Sequence, residues 1–177
     1  MNSQSEPQPL PEPDGGLVGV LLQPPALAYA FDIRVDFDRR VISGPVSGGG
    51  KMGFVGISGG TLRGPRLCGR VLPFSGGDYA HVRPDGVVEI NAHYMLEASD
   101  GTLIYLQNRG FLDRAHQGAS VPAGGSTAGA TPYYFRVTPV FRAPNGPHDW
   151  LTRTVILGVG ERHQDPDYTS FRYYAVL

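Results

Sequence analysis

The sequence holds a single cysteine, Cys68, which excludes an internal disulfide and any zinc site built on several thiolates. Its five histidines, His81, His93, His116, His148 and His163, lie far apart with no tight His-x-His or His-x3-His pair, so no metal site is expected. Neither sign of charge dominates. The 15 Lys and Arg against 16 Asp and Glu leave a net charge of −1, which gives no electrostatic case for nucleic acid or an anionic membrane. No apolar run approaches the roughly 18 residues that a membrane span requires. The first residues lack the basic-then-apolar order of a secretory leader, so a cytoplasmic location is the expectation. A Gly-x-Ser-x-Gly elbow is missing, and with it any support for a hydrolase triad. The Gly48-Gly49-Gly50 loop runs on into strand-like Phe54-Val55-Gly56-Ile57 rather than a helix, which argues against a phosphate cradle. No organic cofactor is called for.

What the chain does have is turn-forming residues between short β-rich runs. It carries 25 Gly and 16 Pro in 177 residues, with 41% hydrophobic content. That distribution predicts an all-β fold, and the length suits one core. Residues 1–16 are rich in Pro, Ser, Gln and Glu and read as a disordered tail, with 17–177 as a single all-β domain. Leu17–Leu22 is a candidate first strand. From Leu27 to Phe37 the apolar residues Leu27, Tyr29, Phe31, Ile33, Val35 and Phe37 alternate with Ala30, Asp32, Arg34 and Asp36, predicting a half-buried strand. Val88, Ile90, Ala92, Tyr94 and Leu96 alternate with Glu89, Asn91, His93, Met95 and Glu97. The turn at Ser99-Asp100-Gly101 then returns a second strand, Leu103–Asn108, antiparallel to the first. Asp113 to Gln117 is predicted as at most one helical turn. Tyr133–Phe141, Trp150–Val159 and Tyr168–Val176 complete about eight strands, the number of a small barrel or sandwich.

The run from Ile57 to Gly110 is where a family resemblance is carried. Gly59-Gly60-Thr61, Gly64-Pro65, Gly69, Val71-Leu72-Pro73, Gly76-Gly77-Asp78, Arg83-Pro84-Asp85-Gly86, Ala92, Tyr94, Asp100-Gly101 and Asn108-Arg109-Gly110 stand in the order of that family's motifs. Tyr133-Tyr134-Phe135-Arg136, Trp150-Leu151 and Arg153 extend the match. The sequence resembles the domain-of-unknown-function 3237 family, also called uncharacterised protein family UPF0311, over roughly residues 27–177. The family usually shows Asp-Ala-Arg-Tyr where this chain has Asn91-Ala92-His93-Tyr94. It usually shows Gly-Gly-Gly-Asp-Trp where this chain has Ser75-Gly76-Gly77-Asp78-Tyr79. The resemblance implies a single antiparallel β-barrel, similar to the calycins and lipocalins, with a cavity. It implies no particular activity.

Chemistry has few carriers in such a chain. His93 is either a partly exposed strand residue or a candidate acid or base, since an imidazole changes charge near neutrality. Asp78, at a turn, either caps backbone N–H groups or stands as a carboxylate at the barrel mouth paired with Arg83 or Arg109. Arg83, Arg109, Arg136 and Arg153 either form structural ion pairs with Asp78, Asp85 and Glu97 or face a ligand anion. Tyr94, Tyr105, Tyr133, Tyr134 and Trp150 are core residues or the walls of an aromatic pocket. The catalytic candidates are therefore His93, Asp78 and Arg109. The substrate-binding candidates are Arg83, Asn91, Tyr94, Glu97, Tyr105, Asn108, Tyr134, Arg136, Trp150 and Arg153. The resemblance implies that the Gly76-Gly77-Asp78 turn lies close to Asn108-Arg109-Gly110, and the pocket is expected there, with the polar face of the Val88–Glu97 strand turned towards it. Three functions remain open. One is a cofactor-independent isomerase, lyase or cyclase acting on a small apolar or aromatic metabolite. The second is a non-catalytic small-molecule-binding barrel. The third is an assembly role through a sheet edge, which leaves a homodimer open. The expected partner is a small-molecule substrate or ligand.

Overall fold

The structure, a computed structural model, describes residues 24–115 and 133–177. The tail, the candidate strand Leu17–Leu22 and residues 116 and 117 of the segment 113–117 lie outside the described residues, and Asp113 ends a strand rather than opening a helical turn. Ten strands follow in order: β1 Leu27–Pro45, β2 Lys51–Arg63, β3 Gly69–Val71, β4 Gly77–Asp78, β5 His81–Val82, β6 Val88–Ala98, β7 Leu103–Asp113, β8 Tyr134–Arg142, β9 Ile156–His163 and β10 Tyr168–Val176. All pairings are antiparallel. The order β1-β10-β9-β8-β7-β6 returns through β3, β4 and β5 to β2, and β2 pairs with β1, so the sheet closes on itself. The three short strands share one position between β2 and β6. The result is an antiparallel barrel of eight positions, and closure leaves no free edge in the ring.

The alternation in β6 decides which residues fill the barrel. Ala92, Tyr94, Leu96 and Ala98 are buried, and their neighbours Asn91, His93, Met95 and Glu97 lie on the outer face. The apolar face points in and the polar face points out, opposite to the expected placement of His93. A barrel interior this narrow is filled by side chains, and burying apolar area stabilises it by about 25 cal/mol per Å². In β7 the same rule buries Ile104, Leu106, Asn108 and Leu112.

Phe31, Ile33 and Val35 are buried as the alternation of β1 predicts. Leu27 and Tyr29 are not: Tyr29 is 40% exposed. The register with β10 shifts between Tyr29 and Phe31. Ala30 is the extra residue of a bulge there, and one inserted residue flips every side chain on one side of it to the other face. Phe31 then packs against Tyr173 at 5.2 Å, Phe141 at 6.1 Å and Trp150 at 6.4 Å between ring centroids. Trp150 does not begin a strand as expected. It sits in a 3-10 helix, Asp149–Thr152, whose Leu151 is buried and whose indole carries Arg66 at 3.5 Å over the ring. This helix closes one end of the barrel. The opposite end is formed by the later half of β1, the first half of β2, β4, β5 and the strand ends near residues 112, 135, 162 and 169. No helix among the described residues is long and apolar enough to cross a membrane.

Candidate functional site

A cavity of about 340 Å³ opens at that opposite end. Its walls are apolar, with Val35, Phe37, Ile57, Ile90, Leu112 and Phe135 among them. Its polar groups are few: Arg40, Asp78, Tyr94, Asn108, Arg114, Arg162 and Thr169. An apolar pocket with a small set of convergent polar groups is the usual form of a small-molecule site.

Asp78 is placed by glycines. A Cβ on Gly76 would fall on the His93 carbonyl oxygen, and one on Gly77 would enter the Phe54 ring and crowd the Val55 carbonyl oxygen. Only a chain without side chains at 76 and 77 passes this close between β2 and β6. Asp78 then pairs with Ala92 on one side and Val55 on the other. Ala92 pairs in turn with Asn108. Directly opposed residues in antiparallel strands face the same way, so Asp78, Ala92 and Asn108 form one inward belt. The methyl of Ala92 leaves space between the two polar groups.

The Asp78 carboxyl accepts a hydrogen bond at Oδ1 from the Asn91 backbone N–H at 2.9 Å. Among the described residues its Oδ2 accepts none. Burial pushes its pKa up to about 6, against the opposing pull of the Asn91 N–H and of Arg40. It is therefore both a competent base and a competent acid near neutrality. Tyr94 and Tyr173 are held well above the usual phenol range, chiefly by burial, so both stay protonated. Asn108, 0% exposed, donates from Nδ2 to the Tyr173 hydroxyl at 3.0 Å. Its Oδ1 has no partner among the described residues. The Tyr94 hydroxyl abuts Tyr173 but makes no hydrogen bond of normal geometry. Two buried polar atoms are thus left without partners beside the cavity.

The mouth is basic. Arg40 binds Asp167 with two nitrogens at 2.9 and 3.0 Å. Arg162 binds the same carboxylate and the Tyr168 carbonyl oxygen. Burial, and then the positive charges of Arg40 and Arg114, bring the Arg162 pKa down to about 10. These groups were not legible as site residues, because no motif marks them and they come from strand ends remote in sequence.

Of the residues singled out from the sequence, the structure brings Asp78, Tyr94 and Asn108 to the cavity. The others face elsewhere. The His93 ring lies on the outer face, with Nδ1 at 2.5 Å from the Tyr105 hydroxyl and Nε2 at 3.1 Å from Asn91 Oδ1. The expectation that put His93, Asn91 and Tyr105 at the pocket is corrected by the sense of the β6 pleat. Glu97 is outside as well, bound to Arg70 at 2.6 Å. Arg109 is exposed on β7, and neither it nor Arg83 pairs with Asp78, which feels only the nearby charge of Arg40. Arg83 pairs with Asp85, and Arg153 with Asp149. Arg136 bonds the Phe135 carbonyl oxygen and stands over the half-buried Tyr134 ring. Trp150 belongs to the closed end.

A larger groove of about 710 Å³ crosses the outside of β1, β2, β9 and β10. Its charged groups satisfy one another, Arg34 with Asp36 and Arg172 with Asp32. It includes neither of the unpartnered cavity atoms nor Asp78, so the interior cavity is the better candidate despite its smaller volume.

Comparison with known proteins agrees with this architecture. The family model described as protein of unknown function (DUF3237) matches residues 25–176. A UPF0311 protein of Rhodopseudomonas palustris is 30% identical over 137 residues, covering 77% of this chain and 88% of its own. A beta-barrel like protein from Acinetobacter baumannii superposes with a TM-score of 0.74 at 30% identity, covering 88% of this chain and 98% of that one. An enzyme from Penicillium herquei shares the fold with a TM-score of 0.65 at 19% identity, over 90% of this chain and all of its own, 100%.

Proposed function

The chain belongs to the DUF3237 family, and from that premise we propose that its barrel is a cofactor-independent acid–base enzyme for a small apolar or aromatic metabolite. The observation that carries this reading is Asp78: a carboxyl on the wall of a mainly apolar cavity, with a pKa near 6 and one oxygen free to meet a ligand.

The chemistry follows from the groups around it. With the substrate in the cavity, ionised Asp78 takes a proton from a carbon next to a carbonyl. The C–H electron pair moves onto the carbonyl oxygen, giving an enolate. In this reading the Tyr94 hydroxyl donates to that oxygen and the charge of Arg40, in the same cavity lining, favours it. Asp78 then returns the proton, to another carbon in an isomerisation or to a departing group in an elimination. Its pKa suits both halves of the cycle.

A neutral ketone with acidic C–H bonds, 2-tetralone, tests this directly. The full-length protein at about pH 7.5 in D2O is expected to speed α-proton exchange above the buffer rate, read by proton NMR. The Asp78→Asn variant is expected to lose that acceleration tenfold or more, about 1.4 kcal/mol. Equal rates for wild type and variant would remove Asp78 from the chemistry. Binding of 2-tetralone with no acceleration at all would favour a carrier barrel over an enzyme.

A further inference from the structure

The cavity has two polar ends of different character, and together they specify a ligand more narrowly than its apolar walls do. We infer that the site takes a hydroxylated organic acid: an apolar body with a carboxylate at one end and a hydroxyl at the other. This rests on the reading of the cavity as a small-molecule site and deepens it.

The inner end asks for the hydroxyl. Asn108 Oδ1 and the Tyr94 hydroxyl are buried and lack partners, and an unsatisfied buried polar group costs about 1–3 kcal/mol. Tyr94 and Asn108 are diagonal neighbours across β6 and β7, since Ala92 pairs with Asn108 and Tyr94 with Leu106. Both also adjoin the Tyr173 hydroxyl. One ligand hydroxyl satisfies both orphans, because it can donate to Asn108 Oδ1 while accepting from Tyr94. A carboxylate cannot donate to that amide oxygen, and an ether cannot either.

The mouth asks for the anion. Arg40, Arg114 and Arg162 line the cavity, and Arg40 and Arg162 share the one carboxylate of Asp167. Asp78 adds a negative charge only above a pKa near 6. Three guanidiniums against these two carboxyl groups leave the mouth cationic, and a planar guanidinium binds a carboxylate with two parallel hydrogen bonds. Between the two ends the walls Val35, Ile57, Ile90 and Phe135 admit only an apolar body.

Calorimetric titration of the full-length protein with 6-hydroxy-2-naphthoate tests the inference, with 2-naphthoate and 6-hydroxy-2-naphthamide as controls lacking the hydroxyl or the charge. The hydroxy acid is expected to bind at least tenfold tighter than either control. Arg40→Gln should abolish the preference for acid over amide. Asn108→Leu should abolish the preference for hydroxy acid over 2-naphthoate. If that variant fails to fold, Tyr94→Phe supplies the same comparison. Equal binding of acid and amide overturns the anionic end. Equal binding with and without the hydroxyl means that an ordered water satisfies the inner pair, and overturns that end. Binding of none of the three overturns the inference as a whole. Each of these failures leaves the role of Asp78 to be judged separately, because 2-tetralone carries neither group.

Discussion

Asp78 and Asn108 stand two strands apart on a single belt of the barrel, both facing inward, with only the methyl of Ala92 between them. Neighbouring strands lie about 4.8 Å apart, so a ligand atom above Ala92 is within reach of both side chains. That spacing is the geometric centre of the site.

A carboxyl whose pKa is raised by burial has a consequence for stability. The folded pKa of Asp78 is raised to about 6 from 3.8, so between those values the folded state binds more protons than the unfolded one. Stability contributed by this group is therefore full below about pH 4 and is lost as pH rises through 6. Asp78→Asn keeps an acceptor for the Asn91 N–H and removes the ionisation. It is expected to be more stable than wild type at pH 7.5, by up to about 3 kcal/mol, with the gap closing at pH 4. Urea unfolding at the two pH values measures this; a gap independent of pH would show that Asp78 is not buried as described.

Ala92 is 7% exposed and makes room in the belt. Ala92→Leu is expected to fill the space between Asp78 and Asn108 at a stability cost of about 1–3 kcal/mol. Affinity for 2-naphthol, followed by its fluorescence, should fall tenfold or more. Unchanged affinity in a folded variant would place the ligand elsewhere.

His93→Ala removes a side chain from the outer face. It is expected to leave 2-tetralone exchange and 2-naphthol affinity within about twofold of wild type. A tenfold loss in either would mean that the working site lies on the outside of β6, around the His93–Tyr105 pair.

Phe31 is 0% exposed and touches Phe141, Trp150 and Tyr173. Phe31→Ala should cost about 3–5 kcal/mol in chemical denaturation. Tyr29→Ala, two residues earlier but beyond the bulge, should cost much less. Equal costs would contradict the change of face at Ala30.

These placements show what the sequence could and could not reveal. The period-two alternation of β6 and a turn centred on about residue 100 place His93 opposite residues 106 to 108, and in the structure it meets Gln107. The inward face was the apolar one, as simple burial requires; polar residues at 91, 93 and 97 invited the opposite placement because a barrel can also enclose polar side chains. The bulge at Ala30 left no mark, since alanine fits either face. Asn108 stood out as a polar residue in a strand, but its partner Tyr173 lies 65 residues away, and no local pattern links them. Arg40 lies beyond two register shifts in β1, where alternation no longer tells inside from outside. Arg162 and Asp167 reach the mouth only through closure of the ring.

The titration of Asp78 itself is the most direct measurement. With aspartate carboxyl carbons labelled with carbon-13, the resonance assigned through Asp78→Asn should titrate with a midpoint near 6. A midpoint near the ordinary aspartate value of about 3.9 would mean a solvated carboxylate with no proton to give near neutrality, and would contradict acid–base catalysis by this residue.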